Sequence, residues 1–211
     1  MADESRHEFS HTANADAEKN SGPGPIIISR HGKPALDRSA GPKLDWRQYK
    51  DWWASYEAGG LAEGQAAPET LKEAVRNSDV VIASSRLRAQ ETAQLAAPWA
   101  EIEVSDLFIE ANLPPPVWNG VKFLPKTWNI LARAAWMQGH KLDGEGIRDA
   151  EDRAETAAKY LVARAEEGQV YLAAHGWFNR MLRPELKKLG WRCRRDGGDS
   201  YWSFRVYEFR G

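Results

Sequence analysis

Short apolar runs alternate along the chain with longer segments in which apolar residues recur every three or four positions. Short apolar runs are typical of buried strands, and a repeat near 3.6 residues is typical of helices with one buried face. The pattern predicts strands at 26–30, 79–84, 101–105, 169–174 and 201–208 and helices at 45–57, 68–76, 86–97, 124–138, 145–166 and 177–189. Strands that alternate with helices indicate an α/β fold, here a three-layer α/β/α sandwich with a mostly parallel central sheet.

Two segments near the carboxyl end have distinctive patterns. The strand "YWSFRVYEF" alternates aromatic and polar residues, which predicts an edge strand with one solvent-exposed face. The preceding segment, "RMLRPELKKLGWRCRR", contains seven basic residues and one acid, Glu185. A solvated helix face followed by a basic turn is the favoured interpretation, and a surface that steers phosphorylated substrates is the alternative.

The distribution of polar, proline and glycine residues divides the chain. Residues 1–24 are polar and close with "SGPGP", so they predict a flexible amino-terminal tail. Residues 25–211 are predicted to form one domain. Within it, residues 111–125 are too rich in proline and glycine for regular structure. Together with the following helix, this loop predicts a tryptophan-rich insert at about 111–140.

The composition of the 211 residues, 42% hydrophobic and 28% charged, is that of an ordinary globular protein. A net charge of −1 provides no field that would recruit nucleic acid. The single cysteine, Cys193, excludes an internal disulfide and a multi-cysteine zinc site. No apolar stretch approaches the ~20 residues that span a bilayer, and the first residues lack a signal-peptide pattern. We therefore expect no nucleic-acid partner, no integral membrane segment and a cytoplasmic location.

Two predicted strands end in a histidine followed by a glycine. "IIISRHG" places Arg30 and His31 at the end of the first strand, and "YLAAHG" places His175 at the end of another. Ligands of parallel α/β sheets bind beyond the carboxyl ends of the strands. We therefore expect both imidazoles and the guanidinium to converge on one point.

A third predicted strand, "DVVIASS", runs into a helix whose first turn carries Arg88. Ser84 or Ser85 is the expected N-cap of that helix, whose amide-rich end attracts anions. Two arginines, two imidazoles and a helix N-terminus together predict an anion pocket suited to phosphate.

Four motifs can be quoted along the chain: Arg30-His31-Gly32, "SxxxRAxET" from Ser84 to Thr92, "LFIEANLP" around Glu110, and "AAHG" around His175. In this order they resemble the histidine phosphatase superfamily, also called the phosphoglycerate-mutase-like family. The resemblance runs from about residue 25 to 209 and implies the phosphoglycerate-mutase-like version of the α/β sandwich.

The resemblance also implies catalytic roles. His31 would attack phosphorus and form a phosphohistidine that water then hydrolyses. Arg30, Arg88 and His175 would stabilise charge on the phosphoryl oxygens. Glu110 would protonate the leaving oxygen and then take a proton from water. No metal and no cofactor are expected.

The chain departs from the family pattern after the first motif. Pro34 replaces a small hydroxyl residue, and Asp37 stands where many members have an asparagine that holds phosphate. The Asp37 carboxylate is expected to point away from phosphate, to bind Lys33, or to contact a substrate hydroxyl. Lys33 is either an auxiliary cation or a solvated lysine. The general acid has two nearby competitors, Glu101 and Glu103.

Ten tryptophans are unusually many for this length. Most are expected to pack in the core or on amphipathic helix faces. Trp53 and Trp118 fall in the two segments that overhang the pocket in this family. They are predicted to belong to a lid that recognises an apolar, aromatic or sugar-like leaving group.

The predicted function is metal-independent hydrolysis of a phosphomonoester, with a phosphorylated small molecule as the substrate. A mutase-type phosphotransferase would use the same residues but needs a second phosphate site, and no additional basic cluster is visible beside the motifs. Protein phosphohistidine phosphatase activity is a further alternative. A non-catalytic phosphate-binding protein is disfavoured because the whole set of motif residues is present.

Overall fold

The computed structural model describes residues 22–141 and 144–211. Their centre is a sheet of six strands: β1 (Ile26–Arg30), β2 (Val80–Ser84), β3 (Ile102–Ser105), β4 (Val170–Ala174), β5 (Trp191–Asp196) and β6 (Phe204–Phe209). The strand order is β3-β2-β4-β1-β6-β5. Strands β3, β2, β4 and β1 run parallel to one another, and β6 and β5 are added antiparallel. The predicted mostly parallel sheet is confirmed.

Six α-helices connect the strands in the described ranges: α1 (Trp46–Ala58), α2 (Glu69–Val75), α3 (Leu87–Ala96), α4 (Pro125–Met137), α5 (Ile147–Ala165) and α6 (Gly176–Lys188). A short 3-10 helix, Asp106–Phe108, follows β3. Each α-helix begins and ends within two residues of its predicted bounds, because the apolar repeats and the flanking glycines mark the helix ends clearly.

Helices cover both faces of the sheet. Ile26 and Ile28 of β1 pack with apolar side chains of α5 and α6. Ile27, on the opposite face, packs with side chains of α2 and α3, including Leu71. Strands buried on both faces need continuous apolar runs, which is why β1, β2 and β4 stand out in the sequence. The three-layer α/β/α sandwich is therefore confirmed.

Helices α1 and α4 do not lie on the sheet but pack against each other in a separate small core, here called the aromatic cap. Its buried residues are Leu44, Tyr49, Leu113, Trp128 and Ala132, with Trp46, Trp52 and Trp53 among the partly buried side chains around them. The Trp128 indole N–H donates to the Leu44 carbonyl oxygen at 2.6 Å. Most of the tryptophans are thus packing residues, and residues 111–124 form the long loop that the sequence predicts.

Three predictions near the carboxyl end are wrong. Residues 191–196 form strand β5 rather than a basic turn, and the last strand spans 204–209 rather than 201–208. The last strand is also not an edge strand, since β6 pairs with β1 on one side and β5 on the other. Charged side chains are tolerated on β5 because it is one of the two edge strands of the sheet and is exposed after Trp191. A run of arginines in such a strand has no apolar pattern to reveal it.

The predicted tail, residues 1–24, lies almost wholly outside the described residues. Within the described part, the Gly24 amide already donates to the Ala165 carbonyl oxygen at 2.8 Å, so packing against α5 begins before β1. In the two described ranges, no helix has both the length and the apolar character to cross a membrane.

Candidate active site

The register of two neighbouring strands brings the two histidines together. Arg30, the last residue of β1, is paired with Ala174, the last residue of β4. The residues that follow are His31 and His175, and the His31 amide donates to the Ala174 carbonyl oxygen at 2.9 Å. The imidazole centroids lie 5.2 Å apart, and both rings are buried. The ends of β1 and β4 therefore contribute to a single site.

The hydrogen bonds of His31 define its tautomer. Its Nδ1 lies 2.7 Å from the Gly32 carbonyl oxygen, and its Nε2 lies 3.4 Å from Nε of Arg88. A carbonyl only accepts and a guanidinium only donates, so Nδ1 carries the proton and Nε2 keeps its lone pair. The nitrogen that faces Arg88 is therefore the one able to act as a nucleophile.

His175 has the opposite arrangement. Arg88 donates to its Nδ1 at 3.2 Å, so the proton is on Nε2, which donates to the Ser84 hydroxyl at 2.8 Å. The prediction that Ser84 or Ser85 caps α3 is wrong. The N-cap of α3 is Arg86, with no side-chain cap, because Ser84 is bonded to His175 and Ser85 donates to Asp106.

Arg88 joins the two histidines to α1. Its guanidinium is buried, donates to the carboxylate of Glu57 at 2.7 Å, and also reaches the carbonyl oxygens of Tyr56 and Glu57. A buried guanidinium needs such partners to offset the loss of water. Glu57 also pairs at 3.1 Å with Arg86, whose side chain is partly exposed. No motif in the sequence marks Glu57, because its role depends on how the end of α1 meets Arg88 in the folded chain.

Arg30 approaches the site from the other side of His31. Its guanidinium donates to the Asp199 carbonyl oxygen and stacks on the Tyr201 ring at 4.3 Å. Its Nε is buried and has no hydrogen-bond partner among the described residues. The Tyr201 ring also lies 5.7 Å from that of His31. The loop before β6 therefore forms one wall of the site, a feature that the sequence did not predict.

Glu110 lies at the N-terminus of α6. Its carboxylate accepts hydrogen bonds from the amides of Ala111, Trp177 and Phe178 at 2.9 to 3.1 Å. Because α6 starts directly after His175, these bonds bring Glu110 to the same edge of the sheet. Glu103, which was named above as a competitor, lies on β3 and pairs instead with Arg164 of α5 at 3.0 Å.

Two arginines hold the irregular segment around Glu110. Arg133 of α4 donates to the carbonyl oxygens of Ala111 and Asn112, both at 3.0 Å. Arg153 of α5 donates to the carbonyl oxygens of Leu107 and Ile109. These side-chain hydrogen bonds supply the partners that backbone carbonyl groups of this segment would otherwise find in a neighbouring strand.

A cavity of about 470 Å³ opens beside these groups. The charged residues of its lining come from one strand end, from loops and from two helices: Arg30, Arg38, Glu110, Arg133, Arg180 and Asp199. Its apolar residues come from α1, α4, α6 and the long loop: Trp53, Ile130, Met137, Trp177 and Leu113. Of the two predicted lid tryptophans, Trp53 lines this cavity, whereas Trp118 packs beside Trp128 and is 46% exposed. Arg38, which no motif marked, donates to the Tyr201 hydroxyl at 3.0 Å.

The glycine of the first motif has a packing role. A Cβ at Gly32 would lie 2.5 Å from the Trp202 ring, which is closer than any side chain permits. The Gly32 amide also donates to the Thr92 hydroxyl at 3.0 Å. Gly32 is therefore required by the close approach of the loop before β6 and not only by a turn.

Burial and nearby cations keep both histidines neutral. Burial is the largest cause that lowers the pKa of His31 well below 6.5, and the charges of Arg88 and Arg30 act in the same direction. Burial and Arg88 lower the pKa of His175 likewise. A neutral imidazole is the form that can attack phosphorus, so the lone pair on His31 persists into mildly acidic solution.

These neutral histidines predict a pH-dependent stability. Below pH 6.5 the unfolded chain binds protons that the folded protein does not, because both folded pKa values are lowered. The free energy of unfolding should therefore fall below pH 6.5 by up to about 1.4 kcal/mol per pH unit for each histidine, and should not depend on them above it. Urea denaturation across this range should give a shallower dependence for His175→Asn than for the wild type. If the free energy of unfolding depends on pH equally in the two proteins, His175 is not a neutral histidine with a lowered pKa.

Two buried histidines and two arginines at the carboxyl edge of the sheet of an α/β sandwich form a group of side chains suited to binding phosphate. The model of the histidine phosphatase superfamily (branch 1) matches residues 26–210. The chain belongs to this superfamily, as the four motifs indicated.

Solved structures of similar fold include several phosphatases. They are a mycobacterial glucosyl-3-phosphoglycerate phosphatase (20% identity, 78% of this chain and 80% of the other, TM-score 0.54), a phosphoserine phosphatase from Entamoeba histolytica (16%, 78% and 80%, 0.54) and an ecdysone phosphate phosphatase from Bombix mori (19%, 84% and 82%, 0.51). No curated protein matches the chain significantly. At these identities the structures establish the fold alone.

Proposed function

We propose that this protein hydrolyses a phosphomonoester through a phosphohistidine on His31, without a metal or cofactor. The observation that carries the proposal is the unprotonated Nε2 of His31, which faces the Arg88 guanidinium beside His175. A nucleophile with cations around its lone pair is what phosphoryl transfer requires, because the reaction depends on positioning and charge stabilisation. The phosphatases among the structural neighbours support the same reaction class.

The proposed reaction has two balanced steps. Nε2 of His31 forms a bond to phosphorus while the bond to the leaving oxygen breaks, and Glu110 gives that oxygen a proton. Water then attacks the phosphohistidine, gives a proton to Glu110, and the P–N bond breaks to release phosphate. Arg30, Arg88 and His175 stabilise the phosphoryl oxygens in both steps.

The proposal assigns a role to each part of the chain. Residues 25–211 act as one catalytic domain, and the insert at about 111–140 contributes one side of the aromatic cap above the cavity. Arg133 of the insert contacts both the backbone beside Glu110 and the rings of Trp136 and Trp177, at 4.7 and 4.8 Å. The cap therefore both encloses the leaving group and fixes the general acid.

The experiment that tests the proposal is hydrolysis of p-nitrophenyl phosphate and a panel of phosphomonoesters in the presence of EDTA. Turnover with release of inorganic phosphate is expected, because no step requires a metal. Absence of turnover across the panel, together with absence of a trapped phosphohistidine, would indicate a phosphate-binding protein instead.

The aromatic cap predicts a leaving-group effect. Trp53 lines the cavity, so Trp53→Ala should lower kcat/KM by about 10-fold for an aryl or sugar phosphate, through loss of apolar contact. Trp118→Ala is the matched control, since that ring packs on Trp128 outside the cavity lining, and it should change kcat/KM less than about twofold. Equal effects of the two substitutions on steady-state kinetics would reject the role of Trp53.

A further inference from the structure

The side chains around the reaction centre alternate between guanidinium groups and tyrosine rings. The centroid of the Tyr201 ring lies 4.3 Å from Cζ of Arg30 and 5.9 Å from Cζ of Arg38. The centroid of the Tyr56 ring lies 6.0 Å from Cζ of Arg38 and 5.0 Å from Cζ of Arg88. Like charges that lie this close repel one another, and the faces of aromatic rings offset part of that repulsion.

The Arg30 guanidinium is held by an aromatic ring and a backbone oxygen, whereas Arg88 is held by a carboxylate. Burial lowers the pKa of the Arg30 guanidinium, and Tyr201 is the strongest influence that opposes this effect. The buried Nε of Arg30 has no hydrogen-bond partner in the part of the chain that the structure describes. A ring face attracts a cation without accepting its in-plane N–H bonds, so donors of Arg30 remain available to a ligand.

Gly176 also confines the Arg30 side chain. A Cβ at position 176 would lie 3.1 Å from Nε of Arg30 and 3.3 Å from its Cζ. The guanidinium is therefore in close contact with the first residue of α6, directly after His175. Its contacts with Gly176 and with the Asp199 carbonyl oxygen involve backbone, so the Tyr201 ring is the contact that a substitution can remove.

The loop before β6 holds Tyr201 in place. Trp202, the next residue, has a φ of 64°, which bulky residues rarely adopt. Its indole N–H donates to the Gln65 side chain at 2.9 Å, and the Asp199 carboxylate accepts from Arg180 at 2.8 Å. Strained backbone of this kind persists where surrounding contacts fix it, and it is concentrated at functional sites. The direction of the Tyr201 ring is thus set by an ordered loop.

We propose that Tyr201 is a positioning residue, whose ring holds the Arg30 guanidinium beside His31 and leaves its free N–H donors to the phosphoryl oxygens. The proposal rests on the proposed function, in which Arg30 stabilises those oxygens. Tyr201 transfers no proton and forms no bond to the substrate. Its effect on the reaction passes through Arg30, so the effect should disappear when Arg30 is absent.

Removing the ring tests this role. Tyr201→Leu should lower kcat/KM for p-nitrophenyl phosphate about 10- to 100-fold, because an arginine displaced by about 1 Å stabilises the transition state much less. Tyr201→Phe restores the ring and should recover most of this loss, although it lacks the hydroxyl that accepts from Arg38. Tyr201 is partly exposed, so the leucine variant should fold, which its unfolding transition would verify. Tyr201→Met is a second variant without a ring, for use if the leucine variant does not fold.

Tyr160 of α5 provides the matched control. It is also a partly exposed tyrosine, its ring meets that of Phe108 with the centroids 6.1 Å apart, and its hydroxyl donates to Glu103. Tyr160→Leu removes the same atoms at a position outside the active site. This variant should keep kcat/KM within about twofold of the wild type.

A double-mutant cycle with Arg30→Ala separates positioning from a structural role. In the Arg30→Ala protein, adding Tyr201→Leu should lower kcat/KM less than about threefold further, because the group that Tyr201 positions is already absent. The Tyr201 ring also lies 5.7 Å from that of His31. If the ring acted through His31 or through the shape of the loop, Tyr201→Leu would cost the same factor with and without Arg30.

Three results would overturn the role of Tyr201 while turnover by the wild type still supports the proposed function. They are an unchanged kcat/KM in Tyr201→Leu, equal losses in Tyr201→Leu and Tyr201→Phe, and equal costs of Tyr201→Leu with and without Arg30. If the wild type turns over no phosphomonoester, the proposed function fails, and titration calorimetry with inorganic phosphate tests Tyr201 instead. Tyr201→Leu should then raise Kd about 10-fold and Tyr201→Phe should restore it. Equal Kd values, or no binding of phosphate by the wild type, would overturn the role of Tyr201 as well.

Discussion

Replacing His31 with alanine is expected to lower kcat/KM for every phosphomonoester by about 10⁴-fold or more. The substitution removes Nε2, the unprotonated nitrogen that Arg88 faces, and leaves no other nucleophile in the same position. Removing a buried ring also leaves a cavity, so the folded state of the variant should be verified by its unfolding transition. The measurement is steady-state hydrolysis of p-nitrophenyl phosphate in EDTA.

His140→Ala is the matched control for this prediction. His140 lies after α4 and bonds to the Pro115 carbonyl oxygen at 3.2 Å, far along the chain from both strand ends. This variant should keep kcat/KM within about twofold of the wild type. A folded His31→Ala protein with comparable activity to this control would contradict the proposed mechanism.

Replacing Glu110 with glutamine is expected to lower kcat/KM by about 10²- to 10⁴-fold for alkyl phosphates and by less than about 10-fold for p-nitrophenyl phosphate. An alkoxide needs a proton from Glu110 in order to leave, whereas p-nitrophenolate leaves without one. The glutamine side chain retains an oxygen that can accept from the amides of Trp177 and Phe178. Because kcat/KM reports the first irreversible step, the later hydrolysis of phosphohistidine does not obscure the comparison.

Glu103→Gln provides the comparison for Glu110. Glu103 is also a partly buried carboxylate in a hydrogen-bonded pair, but it faces Arg164 at the edge of the sheet. In this variant, kcat/KM should change by the same factor for alkyl phosphates and for p-nitrophenyl phosphate, or should not change at all. If Glu110→Gln lowers kcat/KM equally for alkyl phosphates and for p-nitrophenyl phosphate, Glu110 acts by capping α6. Another residue would then have to transfer the proton.

The sequence predicted the parts of the site that follow buried strands. Arg30, His31 and His175 could be placed together because parallel strands end at one edge, and an apolar run marks each strand. Arg88 could be added because it lies in the first turn of the helix after β2. These positions depend on local patterns and on one rule of sheet geometry.

The rest of the site depends on tertiary packing that local patterns do not encode. Glu57 reaches Arg88 only because the end of α1 meets the start of α3 in the folded chain, and Tyr201 reaches Arg30 only through the loop before β6. Arg38 lies in an irregular loop after the first motif, where neither helical nor strand periodicity limits its direction. Strand β5 was missed for a related reason, since an edge strand of charged residues has no apolar alternation.

The tryptophans show the same limit. Their number suggested both a core role and a lid role, and the structure assigns most of those near the cavity to the core of the aromatic cap. Trp128 has the core role, since it is fully buried and its indole N–H donates to the Leu44 carbonyl oxygen. Of the two lid candidates, only Trp53 reaches the cavity, because Trp118 lies in the loop on the outer side of Trp128. Sequence position alone could not separate these two cases.

The most direct test of the mechanism is to identify the residue that carries phosphate during turnover. Rapid mixing with substrate, quenching in alkali and digestion with trypsin would place His31 in the peptide 31–38 and His175 in the peptide 165–180. We expect acid-labile phosphate on His31, at the nitrogen that faces Arg88, and none on His175. Phosphate on His175, or turnover without any phosphohistidine, would contradict the mechanism.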